Sequence, residues 1–232
     1  MNKGVFWKGL RDGLPICMGY FAVSFAFGIQ AAAAGLTAFQ AGLLSLLNLT
    51  SAGQFAGLGV IAAAGSYIEM AALQLVINLR YLLMSAALSQ KVEPKTGTVS
   101  RLMMAYGVTD EVFGVSVLVD GTLYPRYSYG LIAIATFGWV AGTALGASAG
   151  AVLPDRIISA LGIALYGMFL AVILPPAKKE RPVTVAVLSA MALSTLCAVV
   201  PGVRALSSGM RIILVTVAVA AFCAAKWPVK EQ

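Results

Sequence analysis

Apolar residues in this chain run on for about twenty positions at a time without alternating, and the polar residues gather in short breaks between the runs. Eight apolar segments are legible, at roughly 14–34, 38–64, 67–88, 101–119, 127–152, 156–176, 183–201 and 209–227. A helix needs about 20 mainly apolar residues to cross a hydrocarbon core about 30 Å thick. Six of the segments read as full spans on that measure. A membrane β-barrel would show segments of about ten residues alternating in polarity, which these do not. The pattern predicts an all-α fold, a polytopic transmembrane helical bundle of six to eight segments. The breaks hold Pro, Gly or charge, as in Gly35-Leu36-Thr37, Lys91-Val92-Glu93-Pro94-Lys95, Pro154-Asp155-Arg156 and Pro201-Gly202.

Two segments depart from a plain span. The second carries Asn48, Thr50, Ser51 and Gln54 in its middle, with Gly53 and Gly57 alongside. The fourth carries Gly107-Val108-Thr109-Asp110-Glu111 at its centre. A helix interrupted at such a place frees backbone groups, which are tolerated at membrane depth only inside protein or beside a water-filled cavity. Segments two and four are therefore expected to be broken or re-entrant. Loop charge points the same way. If all eight segments crossed from a cytoplasmic N-terminus, Lys91, Lys95 and Arg101 would lie outside, against the positive-inside rule. With segments two and four re-entrant, both basic loops and both termini are cytoplasmic.

Composition narrows the class. The chain is 60% hydrophobic and only 11% charged, too few charges to cover a soluble domain, where about 25% is usual. The net charge of +7 sits in loops and at the ends, so it reads as membrane orientation and not as nucleic-acid binding. Lys3, Lys8 and Arg11 precede an apolar stretch too long for a signal peptide, so this stretch is expected to stay as the first span. Cys17, Cys197 and Cys223 stand far apart in apolar segments and read as small buried hydrophobes. With no CxxC and no histidine, no metal site and no cofactor is indicated. The chain reads as one transmembrane domain over 1–232. A faint internal repeat, about 14–119 and 127–227, rests on the similar placement of Leu36 to Gly42 and Leu153 to Ser159.

Charge inside an apolar segment costs about 2.5–3.5 kcal/mol on insertion scales. Four residues stand there: Glu69, Arg80, Asp110 and Glu111. Glu69 is near the start of its segment and reads as an interfacial carboxylate. Arg80 lies beyond the midpoint of its segment. It either snorkels toward the near headgroups or pairs with Asp110 or Glu111 across a cavity, which lowers the burial cost of both partners. One cation and two carboxylates leave a negative excess, to be met by a proton, a sodium ion or a substrate ammonium group. Gln74 and Asn78 share a helix face, whereas Asn78 and Arg80 point about 200° apart. Asn78 and Arg80 can both face a cavity only where the helix is distorted or enclosed on both sides.

Three ordered motifs carry a family resemblance: Ala52-Gly53-Gln54-Phe55-Ala56, Val76-Ile77-Asn78-Leu79-Arg80-Tyr81-Leu82-Leu83-Met84, and Thr109-Asp110-Glu111-Val112-Phe113, with Gly9-Leu10-Arg11-Asp12-Gly13-Leu14-Pro15 at the opening. Together they resemble the AzlC-type branched-chain amino-acid permeases. The resemblance implies a multi-pass protein of the bacterial inner membrane. It implies export of branched-chain and related aliphatic amino acids (Leu, Ile, Val, Met) together with a small, very hydrophobic AzlD-type membrane subunit. It also implies a substrate site among Asn48, Ser51, Gly53, Gln54, Phe55, Asn78 and Arg80, with ion or proton coupling at Asp110 and Glu111. Phe55 and Met84 are candidates to hold an aliphatic side chain. One departure matters. The family often has histidine after the arginine, whereas this chain has Tyr81 and no histidine anywhere, so a histidine proton relay is excluded.

Other readings stand beside this one. A channel-like pore or a transporter of another small solute would differ in saturation and selectivity. A scaffold subunit would need its partner to carry the path. An intramembrane enzyme is disfavoured, because the neighbouring Asp110 and Glu111 point about 100° apart on a helix and no nucleophile–base set accompanies them. No GxxxxGK[ST] occurs, so direct ATP hydrolysis is not expected.

Overall fold

The computed structural model describes residues 3–150, 170, 173–174, 177–200, 203 and 206–227. The segment expected at 156–176, the second limb of the faint repeat at Leu153 to Ser159, and the break at Pro201-Gly202 lie largely or wholly outside the described residues. The helices named below are α1 (Lys3–Ala33), α2 (Ala38–Leu47), α3 (Ser51–Ala62), α4 (Tyr67–Lys91), α5 (Thr98–Tyr106), α6 (Asp110–Val117), α7 (Pro125–Gly150), α8 (Arg181–Val199) and α9 (Ser208–Lys226). Five of them, α1, α4, α7, α8 and α9, are long and apolar enough to cross a membrane. The protein is thus a polytopic helical bundle.

Helix α1 begins well before the first apolar segment and carries Lys8, Arg11 and Pro15 within it. Helical backbone bonds are satisfied locally whether a turn is in lipid or in water, so a helix need not stop where its apolar stretch does. The helix does stop at Gly35. Leu36 N–H bonds Ala31 O at 3.0 Å and Gly35 N–H bonds Ala32 O at 2.9 Å, with Gly35 at φ +88°, a left-handed termination that glycine adopts without strain. Thr37 then opens α2 with a capping box to Gln40.

The chain divides into two compact units: Met1–Gln54 with Asn78–Gly162, and Phe55–Ile77 with Ile163–Gln232. In the first, α1 and α7 lie side by side and run in the same direction. Gly9 meets Tyr127, Gly13 meets Leu131, Cys17 meets Gly138 and Phe25 meets Gly146, the two numbers rising together. Small residues let the backbones touch: a Cβ added at Gly146 would sit 2.0 Å from Phe25 O, and one at Gly28 2.1 Å from Thr143 O. This is how membrane helices gain packing without a hydrophobic driving force.

The other elements of this unit enter from the two ends of the α1–α7 pair. Helix α2 starts at the carboxyl end, where Gly42 faces Ala144 and Ser45 bonds Thr143. It stops at Leu47, and Asn48, Leu49 and Thr50 leave helical geometry before α3 begins. Helix α5 starts at the amino end. There Ser100 and Glu93 line a cavity with Val5, Tyr124 and Arg126. The chain turns at Gly107-Val108-Thr109, and α6 returns to the amino end, where Lys91 Nζ donates to Val117 O. The same end holds the carboxyl terminus of α4: Leu123 N–H bonds Lys91 O at 2.8 Å and Glu93 N–H bonds Leu123 O at 3.1 Å. Gly107 fits against Ile132, because a Cβ there would lie 2.4 Å from that side chain.

In the second unit α8 and α9 pack together. The carboxylate of Glu69 accepts from the hydroxyl of Ser207, the N-cap of α9, and from Gly209 N–H at 3.1 Å. Glu69, expected as an interfacial carboxylate, thus satisfies free donors at the start of a helix, where negative charge is favourable. The cysteines differ from expectation. Cys17, Cys197 and Cys223 are all half-buried; for Cys197 and Cys223 this follows from helices α8 and α9, few of whose described residues are buried within the chain.

Candidate functional site

The interruption at Asn48-Leu49-Thr50 and the one at Gly107-Val108-Thr109 meet beside the α1–α7 pair. Tyr20, Leu49, Thr50, Ser51, Tyr81, Thr109, Asp110, Glu111 and Trp139 surround one small cavity. Trp139 lies 14 positions into α7, so the site is about 21 Å from the amino end of that helix. The amino ends of α3 and α6 both open here. In α6 the first turn holds Asp110 and Glu111, and Thr109 caps Val112 N–H. In α3 the first turn holds no acid.

Arg80 and Asp110 form an ion pair at 2.8 Å, with side chains 41% and 40% exposed. The Arg80 guanidinium also lies over the Tyr81 ring, 5.1 Å from its centre. A run of hydrogen bonds continues from there: Arg80 donates to Tyr81 Oη (3.4 Å), Tyr81 to Thr50 Oγ1 (3.2 Å), and Thr50 to Asn78 Oδ1 (2.8 Å). Asn78 and Arg80 therefore both reach the site from an unbroken α4. Asn78 reaches Thr50 and the long Arg80 side chain reaches Asp110, from a helix whose Leu75, Leu79, Leu82 and Leu83 are exposed.

Glu111 takes a different partner. Tyr20 Oη stands 2.6 Å from Glu111 Oε2 and 2.6 Å from Thr109 Oγ1. A phenol has one proton. An ionised carboxylate only accepts, so Tyr20 donates to Glu111 and the Thr109 hydroxyl donates to Tyr20. The Tyr20 ring is fixed edge-on against Trp139, with ring centres 5.2 Å apart.

Gln54 is 1% exposed and fully engaged. Its Nε2 donates to Ser45 Oγ at 2.6 Å, its Oε1 accepts from Trp139 Nε1 at 2.8 Å, and Ser45 is 2.7 Å from Thr143 Oγ1. It ties α2, α3 and α7 together. Ser51 lines the cavity directly. Gly53 is buried in the first turn of α3, and Asn48 ends α2 with its N–H on Leu44 O. Phe55 falls in the second compact unit and is half-buried. Met84 is partly buried against the apolar core of the first unit, which includes Ile16, Tyr20, Leu49, Val112, Leu131 and Trp139.

Sequence reasoning did not assign Tyr20, Thr50, Tyr81, Thr109 or Trp139 to the site. One signal pointed to the aromatics: a buried tyrosine or tryptophan needs a partner for its O–H or N–H. That signal names no partner. The cavity measures about 10 Å³, room for about one water, and Arg80 and Asp110 beside it stay partly exposed.

Comparison with known proteins places the sequence. An "Uncharacterized membrane protein" of Archaeoglobus fulgidus is 35% identical over 179 residues, covering 76% of this chain and 78% of its own. "Inner membrane protein YgaZ" of Escherichia coli is 29% identical over 205 residues, covering 84% of this chain and 83% of its own. No solved structure gives a significant match. The family described as "AzlC protein" matches residues 15–153, the stretch that holds every group around the cavity. The chain is a multi-pass membrane protein and belongs to the AzlC family, which is linked to membrane transport.

Proposed function

We propose that the protein is a secondary transporter that exports branched-chain and related aliphatic amino acids across the cell membrane, working with a small AzlD-type membrane subunit. The observation that carries this reading is the meeting of two interrupted helical segments on an Arg80–Asp110 ion pair beside a small cavity. A zwitterion brings one charge of each sign. On opening, its carboxylate fits Arg80 and the acid-free amino end of α3, and its ammonium fits Asp110. The internal pair then stands in for the substrate when the site is empty.

The same geometry supports a membrane topology for this reading. Helices α5 and α6 make a re-entrant hairpin from the side that holds the start of α1, and α2 comes in from the opposite side. Lys3, Lys8, Lys91, Lys95, Arg101 and Arg126 then share the amino-end face, which the positive-inside rule makes cytoplasmic. A cavity with room for one water supports a binding site over an open pore, and the cluster of charge beside it supports a transport path through this chain.

Reconstitution with the small subunit in proteoliposomes tests the reading. Labelled leucine, valine and methionine, offered under separate proton and sodium gradients, should show saturable, gradient-dependent movement. No movement of any of them sinks the proposal. Non-saturable flux without preference for leucine over alanine replaces it with a pore.

A further inference from the structure

The two neighbouring acids of α6 are held in unlike ways. Asp110 has a cation, Arg80, at 2.8 Å. Among the described residues Glu111 is bonded by a hydroxyl and by no cation: Tyr20 at 2.6 Å, itself 2.6 Å from Thr109. The charged and titratable groups around Glu111 can be taken element by element. Helix α1 supplies Tyr20, α4 supplies Arg80 and Tyr81, and α6 supplies Asp110. Helix α7 supplies Trp139, and the α2–α3 turn supplies Leu49, Thr50 and Ser51, none of which titrates near neutral pH. Arg80 is the one cation in this set, and Asp110 holds it.

Resting on the transport reading above, we propose a division of labour: Asp110 stays ionised as partner of Arg80 and then of the substrate ammonium, while Glu111 takes up and releases the coupling proton. The step balances simply. A proton from the aqueous side adds to the Glu111 carboxylate, and no other bond is made or broken. Before uptake the hydroxyls point Thr109 to Tyr20 to Glu111. After uptake, Glu111 donates to Tyr20 Oη and Tyr20 donates to Thr109 Oγ1. The reversal reaches the N-cap of α6, because Thr109 Oγ1 also accepts Val112 N–H. Protonation is thereby tied to the start of the helix that carries both acids. Tyr20 is a positioning residue in this scheme: it acts through its hydrogen bond to Glu111.

The test uses full-length protein reconstituted with the small subunit. Two transport assays run side by side: exchange of labelled for unlabelled leucine without a gradient, and net leucine movement driven by a pH gradient. Infrared difference spectra on the same samples read the protonated-carboxyl stretch against pH. Glu111→Gln should lose proton-driven movement by about tenfold or more relative to its own exchange, and lose the titrating carboxyl band. Asp110→Asn should lose exchange and keep the band. Asp110→Glu, which keeps the charge, should restore exchange and guards against a folding defect. Tyr20→Phe should shift the pH at which the band titrates. The inference is overturned if Glu111→Gln remains proton-driven, if the band disappears with Asp110→Asn instead, or if only a sodium gradient drives the wild type. A wild type that moves no amino acid while the Glu111 band titrates defeats the transport reading and leaves the assignment of the proton standing.

Discussion

The Arg80 guanidinium meets the Asp110 carboxylate at 2.8 Å, joining an uninterrupted helix to the first residue of α6. Both groups are partly exposed, so each keeps some contact with whatever fills the space beside them. A pair of this kind is worth less than a buried one, but either charge alone at this depth is worse than the pair. Arg80→Gln and Asp110→Asn are each expected to lower stability by about 1–2 kcal/mol. The double substitution should cost less than the sum of the two. Thermal unfolding of all four proteins in the same detergent gives the coupling directly, and strict additivity would show that the pair contributes nothing.

The α1–α7 seam predicts a sharp contrast between two glycines. At Gly146 a Cβ would lie 2.0 Å from Phe25 O, whereas at Gly19 nothing stands within 4 Å. Gly146→Ala must push two backbones apart, and a cost of about 3 kcal/mol or more is expected. Gly19→Ala should be neutral or stabilise by up to about 1 kcal/mol through helix propensity. Equal melting temperatures for the two variants would mean that the helices do not approach as described.

Gln54 makes a further case, because the family motif suggests contact with substrate and its hydrogen bonds suggest a clamp. Gln54→Leu leaves Trp139 Nε1–H and the Ser45–Thr143 pair short of a partner in a buried place. A loss of about 1–3 kcal/mol is expected. Trp139→Phe removes one donor from the same clamp and should cost less. If Gln54→Leu instead keeps its melting temperature and raises the KM for leucine, Gln54 belongs to the binding surface.

Ala64 sits at φ +50° after α3, where a left-handed conformation ends the helix. Gly65 N–H bonds Val60 O at 2.9 Å, the same closure that Gly35 provides after α1. A side chain there costs about 1–2 kcal/mol. Ala64→Gly should therefore raise stability by about 1 kcal/mol, read as a higher unfolding midpoint in detergent with unchanged transport.

Long apolar runs and scarce charge made the membrane location and the helical class legible without any structure, because no soluble packing can hide so much apolar surface. The polar residues of segments two and four also marked where the chemistry lies, since lipid rejects them wherever they are not answered by protein. What answers them was not legible. Arg80 had two acids within reason, and only the turn at Gly107-Val108-Thr109, seated on Ile132, sets Asp110 toward it and Glu111 toward Tyr20. Tyr20 and Trp139 looked like parts of ordinary spans. They became part of the site because α1 and α7 run parallel and in contact along their small residues. The cost of a charge in an apolar segment is a property of the residue and its neighbours in sequence. The choice of its partner is a property of which backbones approach closely, and that depends on helix packing between residues far apart in the chain.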